Sequence, residues 1–417
     1  MADLEQGVPI TPRTRFDVAS VSKHFTSFAI ARLVEEGRLS ADAGLLELVP
    51  EMPDFTEPVE VRHLVHHTSG VRDWVELFAI AGWRFDDVIG VPDILTLARN
   101  QRQLNFEPGA DYRYSNTGYN LLAEIVARVS GETFPAYLRR AVFQPLGMDD
   151  THSHASHHHL IPGRARSYEP SDDAPGGFAL LVNNTTAVGS SSIFTTAEDM
   201  ARWLVNYRTH EVGSDPVWQR MHRRGVLNSG DTIDYAYGLS HGTYGGHQTV
   251  GHGGSWRGFR SQILWVNGPD LGVAVLANRT DGRPDSLARE VVRALVDDFA
   301  ESPSGEGDED EAEEAGGEEG LVESPVPIER YEGQYYSPEL GTTYRIVTRD
   351  GELVATHRQV EDQVLRPEEE DVFTTEGVRG PLTLTFQRDE DGEISAYHLA
   401  GRRFSGVVFR KLELDGS

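Results

Sequence analysis

The chain has 417 residues, of which 38% are hydrophobic and 9% aromatic, enough for a sizeable core and two or three domains. Its formal charge of −28, from 38 Lys+Arg against 66 Asp+Glu, repels phosphates and speaks against nucleic-acid or anionic-membrane partners. There is no cysteine, which excludes disulfides, thiolate nucleophiles and thiolate metal sites, and no run of eighteen apolar residues suits a membrane span.

In chain order, Met1-Ala2-Asp3-Leu4-Glu5-Gln6 has neither the basic nor the apolar region of a signal peptide. The spacing of Phe25, Phe28, Ala29 and Leu33 predicts a helix from Ser20 to Glu36 with one apolar face, closed by Gly37. His66-His67-Thr68-Ser69-Gly70 reads as a helix end and turn rather than a ligand pair. Leu122, Ile125, Val126 and Val129 mark a second helix, Tyr119 to Ser130, with Gly131 at its end. Five histidines fall between positions 152 and 159, but no acid or cysteine joins them, so a surface loop is expected rather than a metal centre. Thr195-x-x-Glu198 predicts a capping box for a helix through Met200, Trp203 and Leu204. Gly272-Val273-Ala274-Val275-Leu276-Ala277 predicts a buried strand.

The text changes between Glu301 and Pro325, which hold eleven acids, no base and almost nothing to bury. Self-repulsion and the lack of apolar surface predict a disordered linker over 301–325, between a domain at 1–300 and one at 326–417. The last segment is all-β. Asp350-Gly351 and Asp391-Gly392 each divide alternating runs, the strongest short-range hairpin signal, and a small antiparallel barrel or meander follows.

Lysine usage directs attention to one spot. Lys23 and Lys411 are the only lysines, and every other cation is arginine. Lysine can be deprotonated inside a protein and arginine effectively cannot. Ser20-Val21-Ser22-Lys23 places the rare lysine three residues after a serine at a helix start, so the two share a face. There the helix dipole disfavours a second positive charge and stabilises a developing alkoxide.

Two later segments complete a pattern: Tyr112-Arg113-Tyr114-Ser115-Asn116 and Gly251-His252-Gly253-Gly254-Ser255-Trp256. The order S-x-x-K, Y-x-N, H-x-G resembles the serine β-lactamase and penicillin-binding-protein superfamily, in its class C-like D-aminopeptidase, esterase and carboxypeptidase branch. His67-Thr68-Ser69-Gly70, Gln144-Pro145-Leu146-Gly147-Met148 and Thr196-Ala197-Glu198-Asp199-Met200 agree with it, and the likeness spans about residues 2–300. Tyr331-Glu332-Gly333-Gln334-Tyr335 through Pro338-Glu339-Leu340-Gly341 resembles the lipocalin-like domain that follows many such hydrolases. The resemblance implies an α+β fold: an antiparallel sheet flanked by helices, an all-α subdomain, and a C-terminal β-barrel. It also implies that the helix and first two strands opening such domains are missing ahead of Ala2.

The resemblance also implies the roles. Ser20 would be the nucleophile that forms an acyl-enzyme, Lys23 its base or charge partner, and Tyr114 the proton shuttle to the leaving group. Asn116 would hold the substrate amide or orient Lys23. Gly254 would lie where a side chain blocks substrate, and the N–H groups of Ser20 and Ser255 would form the oxyanion hole. His252 stands where relatives often carry lysine, and Gly253 where β-lactamases usually carry a hydroxyl. That third motif favours a peptidase- or esterase-like hydrolase of amides or esters, with small or D-configured substrates. A β-lactamase or DD-carboxypeptidase, and a non-catalytic peptidoglycan- or peptide-binding protein, are the other readings. No cofactor is needed, and the implied partner is a small-molecule or peptide substrate.

Overall fold

A computed structural model describes residues 1–296 and 327–413; the linker read at 301–325 lies outside the described residues. The chain divides into two compact units. One comprises Met1–Gly70, Phe85–Leu95 and the chain from Phe106 through the helix Pro284–Leu295; the other comprises Val71–Arg84, Thr96–Asn105 and the C-terminal strands. Two segments that precede the 300-residue mark therefore belong with the barrel.

The first unit is built around the helix Lys23–Glu35. Its residues are buried on every side from Lys23 to Ala31, not on one face as the periodicity suggests. Other helices surround it. Asn116–Ser130 packs on one side and Asp215–Met221 on another. Phe25 and Phe28 also meet an aromatic cluster, with Phe25 and Trp203 ring centroids 4.6 Å apart and Phe28 and Trp218 5.3 Å apart. The helix Asn116–Ser130 begins three residues earlier than expected, because Ser115 accepts a hydrogen bond from the Gly118 N–H at 3.3 Å. It stops at Gly131, whose φ of +74° lets its N–H reach the Ala127 carbonyl.

The helix Ala197–Thr209 is capped one residue later than the sequence suggests. Thr196, not Thr195, is the cap, and its hydroxyl accepts from the Asp199 N–H at 3.1 Å. Thr195 instead ends the strand Ile193–Thr195, its hydroxyl bonded to Thr151. That strand is the centre of a small antiparallel sheet, between Phe16–Asp17 and His152–Ser153. The histidine run is thus partly structural. The His152 ring stacks on Phe194, His154 is buried, and His157 to His159 are exposed.

The main sheet has four antiparallel strands in sequence order: Ser240–Tyr244, His247–Trp256, Phe259–Val266 and Leu271–Ala277. The last of these is an edge strand with mostly half-buried side chains, unlike the fully buried strand its apolar run predicts. Ala288 and Val292 of the helix Pro284–Leu295 pack on Leu264, Val266 and Val273 of this sheet. Its first strand pairs with the second only as far as Ser240 opposite Gly251. Residues 252–256 therefore run beyond the first strand's reach, with Phe259–Val266 alone beside them among the described strands. In the first unit, this stretch of strand borders the site.

The second unit is a closed barrel of eight antiparallel strands in sequence order, from Gly333–Ser337 to Phe404–Lys411, sealed where Tyr335 pairs with Lys411. This is the up-and-down, lipocalin-like topology. Asp350-Gly351 joins Thr342–Arg349 to Glu352–Thr356 with both residues at positive φ, as an Asp-Gly hairpin requires. The interior is filled with rings: Tyr397 stacks on Phe409 at 4.8 Å, and Tyr335, Phe373 and Phe386 are buried beside them. The helix Trp74–Ile80 belongs to this unit. The buried Arg72 guanidinium meets the Glu339 carboxylate at 2.6 Å, and Arg72 Nε donates to the Ser405 carbonyl. The Tyr344 hydroxyl donates to the Ile80 carbonyl at 2.9 Å. No helix among the described residues is long and apolar enough to cross a membrane.

Candidate active site

The strand Phe16–Asp17 ends in a turn that sets the serine. The Asp17 carboxylate accepts the Ala19 N–H at 2.8 Å, which holds Ala19 at a φ of +47°. For a residue with a Cβ this region costs about 1 kcal/mol or more, so it persists only where the surroundings impose it. On the two sides, Val18 N–H donates to the Ile193 carbonyl and Ser261 Oγ donates to the Val18 carbonyl at 2.8 Å. A 3₁₀ turn, Ala19–Ser22, then leads into the helix at Lys23. This gives the i,i+3 pair its shape: Ser20 is half-buried at the surface of the turn, and Lys23 is wholly buried beneath it.

Lys23 Nζ donates to Ser20 Oγ at 3.2 Å, to Asn116 Oδ1 at 2.7 Å and to the Ser190 carbonyl at 2.9 Å. These three acceptors are neutral oxygens arranged around one nitrogen. The Tyr114 ring lies over the same nitrogen, 4.7 Å away, with Tyr119 at 5.4 Å. The two tyrosines differ. Burial pushes the Tyr119 phenol well up, and its hydroxyl is engaged by the Val65 carbonyl and Ser27. Tyr114 is half-buried, on the loop that leads into the helix bearing Asn116.

The third motif comes to the same place. The His252 ring is 6.2 Å from that of Tyr114. Its Nδ1 lies 2.6 Å from the Gly253 carbonyl and its Nε2 3.1 Å from the Tyr235 hydroxyl. A carbonyl only accepts, so Nδ1 carries a proton, while Nε2 and the Tyr235 hydroxyl share a hydrogen bond. Burial pushes the Tyr235 phenol up and keeps it protonated. Behind His252, burial holds His24 well below the ordinary histidine value, leaving a neutral ring with Nδ1 2.9 Å from the Tyr207 hydroxyl.

Gly254 and Ser255 stand on the strand His247–Trp256. A Cβ at Gly254 would overlap the Val18 carbonyl oxygen and the Ser261 hydroxyl. Close packing against the serine's turn thus requires the glycine. Ser255 is exposed on the opposite face of the strand. The structure therefore gathers Ser20, Tyr114 and Asn116 around the buried Lys23 amine, with His252 beside Tyr114 and Gly254 packed against the turn that bears Ser20.

Three contributors were not singled out from sequence. The His67 ring packs at a tilt, 4.2 Å from Tyr114 and 4.7 Å from Tyr235, and its Nδ1 accepts the Ser115 N–H. The segment was read as a turn, which it is, with φ of +59° at His67; its place under Tyr114 needs the fold. Tyr235 carried no signal beyond being one aromatic among several. Asp17 is the third. Burial pushes its carboxyl up to about 6, against the favourable Ala19 N–H, the Arg164 guanidinium, the Asn183 amide and the Ser192 N–H. Among the described residues no three His, Asp or Glu side chains are placed to hold a metal ion.

Residues 1–298 match the family model described as Beta-lactamase. The chain is 27% identical over 296 residues to a D-aminopeptidase from Gluconobacter oxydans, covering 70% of this chain and 55% of that protein. It spans about half the length of the D-aminopeptidases it matches. Among solved structures it is similar to the penicillin binding protein from Bacillus halodurans, with 27% identity, a TM-score of 0.62, and 71% of this chain and 90% of that chain covered. Over 98% of this chain and 91% of the other, it shares the fold of the octameric penicillin-binding protein homologue from Pyrococcus abyssi, at 23% identity and a TM-score of 0.64. A match that takes in nearly all of the first unit, and with it every element converging on Lys23, means that this chain belongs to the beta-lactamase family.

Proposed function

We propose that this protein is a serine hydrolase that opens amide or ester bonds of small, D-configured substrates through an acyl-enzyme on Ser20. The observation that carries the reading is the cage around Lys23 Nζ: Ser20 Oγ at 3.2 Å, Asn116 Oδ1 at 2.7 Å and the Tyr114 ring at 4.7 Å. A deprotonated amine there can take the Ser20 proton as Oγ attacks the substrate carbonyl carbon. The carbonyl π bond breaks to leave an oxyanion, which the N–H groups of Ser20 and Ser255 would receive. Collapse re-forms the carbonyl and breaks the bond to the leaving amine or alkoxide, which takes its proton through Tyr114. Water then repeats the attack on the ester and frees Ser20. Asn116 orients Lys23, and His67 orients Tyr114 through its packed ring.

The D-aminopeptidase relatives support the substrate class. So does Gly253, which offers no hydroxyl to grip a carboxylate beside the scissile bond. The test is labelling by a fluorophosphonate, with the adduct mapped by mass spectrometry, alongside turnover of D- and L-alanine p-nitroanilides. The expected adduct is on Ser20, with the D-amide cleaved faster, and with turnover lost in Ser20→Ala and in Lys23→Arg, which keeps charge but cannot act as a base. Losing a general base removes about 10²–10⁴ of the rate. Lys23→Arg retaining more than roughly a tenth of the rate, or an adduct elsewhere, overturns the assignment.

A further inference from the structure

We propose that Asp17 and Asn183 are positioning residues that tie the serine's turn to the end of the strand His247–Trp256, so that the N–H groups of Ser20 and Ser255 face one oxyanion. The inference rests on the function proposed above and deepens it. It starts from an unbroken chain of hydrogen bonds. Asp17 Oδ1 accepts the Ala19 N–H at 2.8 Å, one residue before Ser20. Asp17 Oδ2 accepts from Asn183 Nδ2 at 2.9 Å. Asn183 Oδ1 in turn accepts from Trp256 Nε1 at 3.2 Å, one residue after Ser255. The same amide oxygen accepts the Thr185 N–H at 3.2 Å, which fixes the orientation of the Asn183 side chain.

Both ends of this chain lie next to a proposed oxyanion donor, on elements that belong to different sheets. Besides the Ser261–Val18 hydrogen bond, two contacts lie a short distance along each element. One is the packing of Gly254 on the Val18 carbonyl, and the other is the Asp17–Asn183–Trp256 bridge. Ala19 supplies the reason that the carboxylate is needed. At a φ of +47° it is held against its own preference, and the bond to Asp17 is the local restraint on it. If that restraint loosens, the Ser20 N–H turns with the peptide it belongs to. Asp17 and Asn183 are both buried, and the Trp256 ring is steadied on its other side by Phe85, with centroids 5.7 Å apart.

The bridge has a polarity that can be reversed, and this provides the test. Asp17→Asn keeps an acceptor for Ala19 but turns an amide NH₂ toward the NH₂ of Asn183. The double exchange Asp17→Asn with Asn183→Asp restores a donor facing an acceptor, and leaves carboxylate oxygens for Trp256 and Thr185. Hydrolysis of p-nitrophenyl acetate by the full chain is expected to lose about 10–100-fold in kcat in Asp17→Asn, with KM within about threefold, since a misplacement of about 1 Å costs that much. The exchanged pair is expected to recover to within about fivefold of wild type. Trp256→Phe, which keeps an aromatic ring but removes the indole N–H, is expected to lose about tenfold and provides a reading should Asp17→Asn fold poorly. The inference is overturned if Asp17→Asn or Trp256→Phe keeps more than half of kcat, or if the exchange recovers nothing over the folded single variant. Ser20→Ala is run on the same ester: its retaining activity refutes the acyl-enzyme itself, whereas loss there with unchanged Asp17 and Trp256 variants refutes the bridge alone.

Discussion

Asp17 couples the site to pH with a sign that can be worked out in advance. Its carboxyl sits at about 6 in the folded chain against an ordinary value of 3.8, because burial outweighs the donors around it. The folded state therefore binds this proton more tightly than the unfolded state. The contribution to stability rises as pH falls from 7 through about 6, and levels off below the unfolded value. From these two values, the gain between pH 7 and pH 5 is about 1.4 kcal/mol. Other buried groups act the opposite way. His24, His63 and His66 are all held below the ordinary histidine value by burial, so they lose stability as pH falls. The wild type alone mixes these effects, but Asp17→Asn removes one titration and leaves the histidines in place. Urea unfolding of both proteins at pH 7 and pH 5 should therefore show wild type gaining about 1.4 kcal/mol on the variant at the lower pH. A difference that stays constant within about 0.5 kcal/mol, or that moves in favour of the variant, would refute a buried, ionised Asp17 at neutral pH.

Gly254→Ala places a methyl group against the Val18 carbonyl and Ser261 Oγ, so backbone must shift; a loss of about 1–3 kcal/mol and of at least tenfold in kcat is expected, read by thermal unfolding and ester hydrolysis. Unchanged values would mean that the strand and the turn are not in contact. In the second unit, Arg72→Ala strands the buried Glu339 carboxylate and should cost about 3–5 kcal/mol in denaturant unfolding, whereas a loss below about 1 kcal/mol would show the pair to be hydrated. His252→Lys with Gly253→Thr rebuilds the third motif of the β-lactamases and should raise nitrocefin cleavage relative to D-alanine p-nitroanilide cleavage. Wild type already preferring nitrocefin to every ester and D-amide would overturn the substrate class.

What the sequence determined by itself is local. Ser20 and Lys23 share a face because three residues of helix put them there, and the Asp-Gly pairs make hairpins because their φ values suit the turn. Gly131 ends its helix for the same kind of reason. The motif order identified the family, and the serine, lysine and tyrosine positions it named come together in space. Tertiary structure decided the rest. All-round burial of the helix from Lys23 to Ala31, the move of the helix cap from Thr195 to Thr196, and the edge position of Leu271–Ala277 depend on neighbours distant in the chain. So do the packing of His67 on Tyr114, the bond between Asp17 and Asn183 across 166 residues, and that between Arg72 and Glu339 across 267. Turn and helix preferences are paid for within a few residues and can be read there. A buried carboxylate or a strained alanine is tolerated only because a distant donor or carbonyl is brought to it, and that partner has no mark in the sequence until the chain has closed around both.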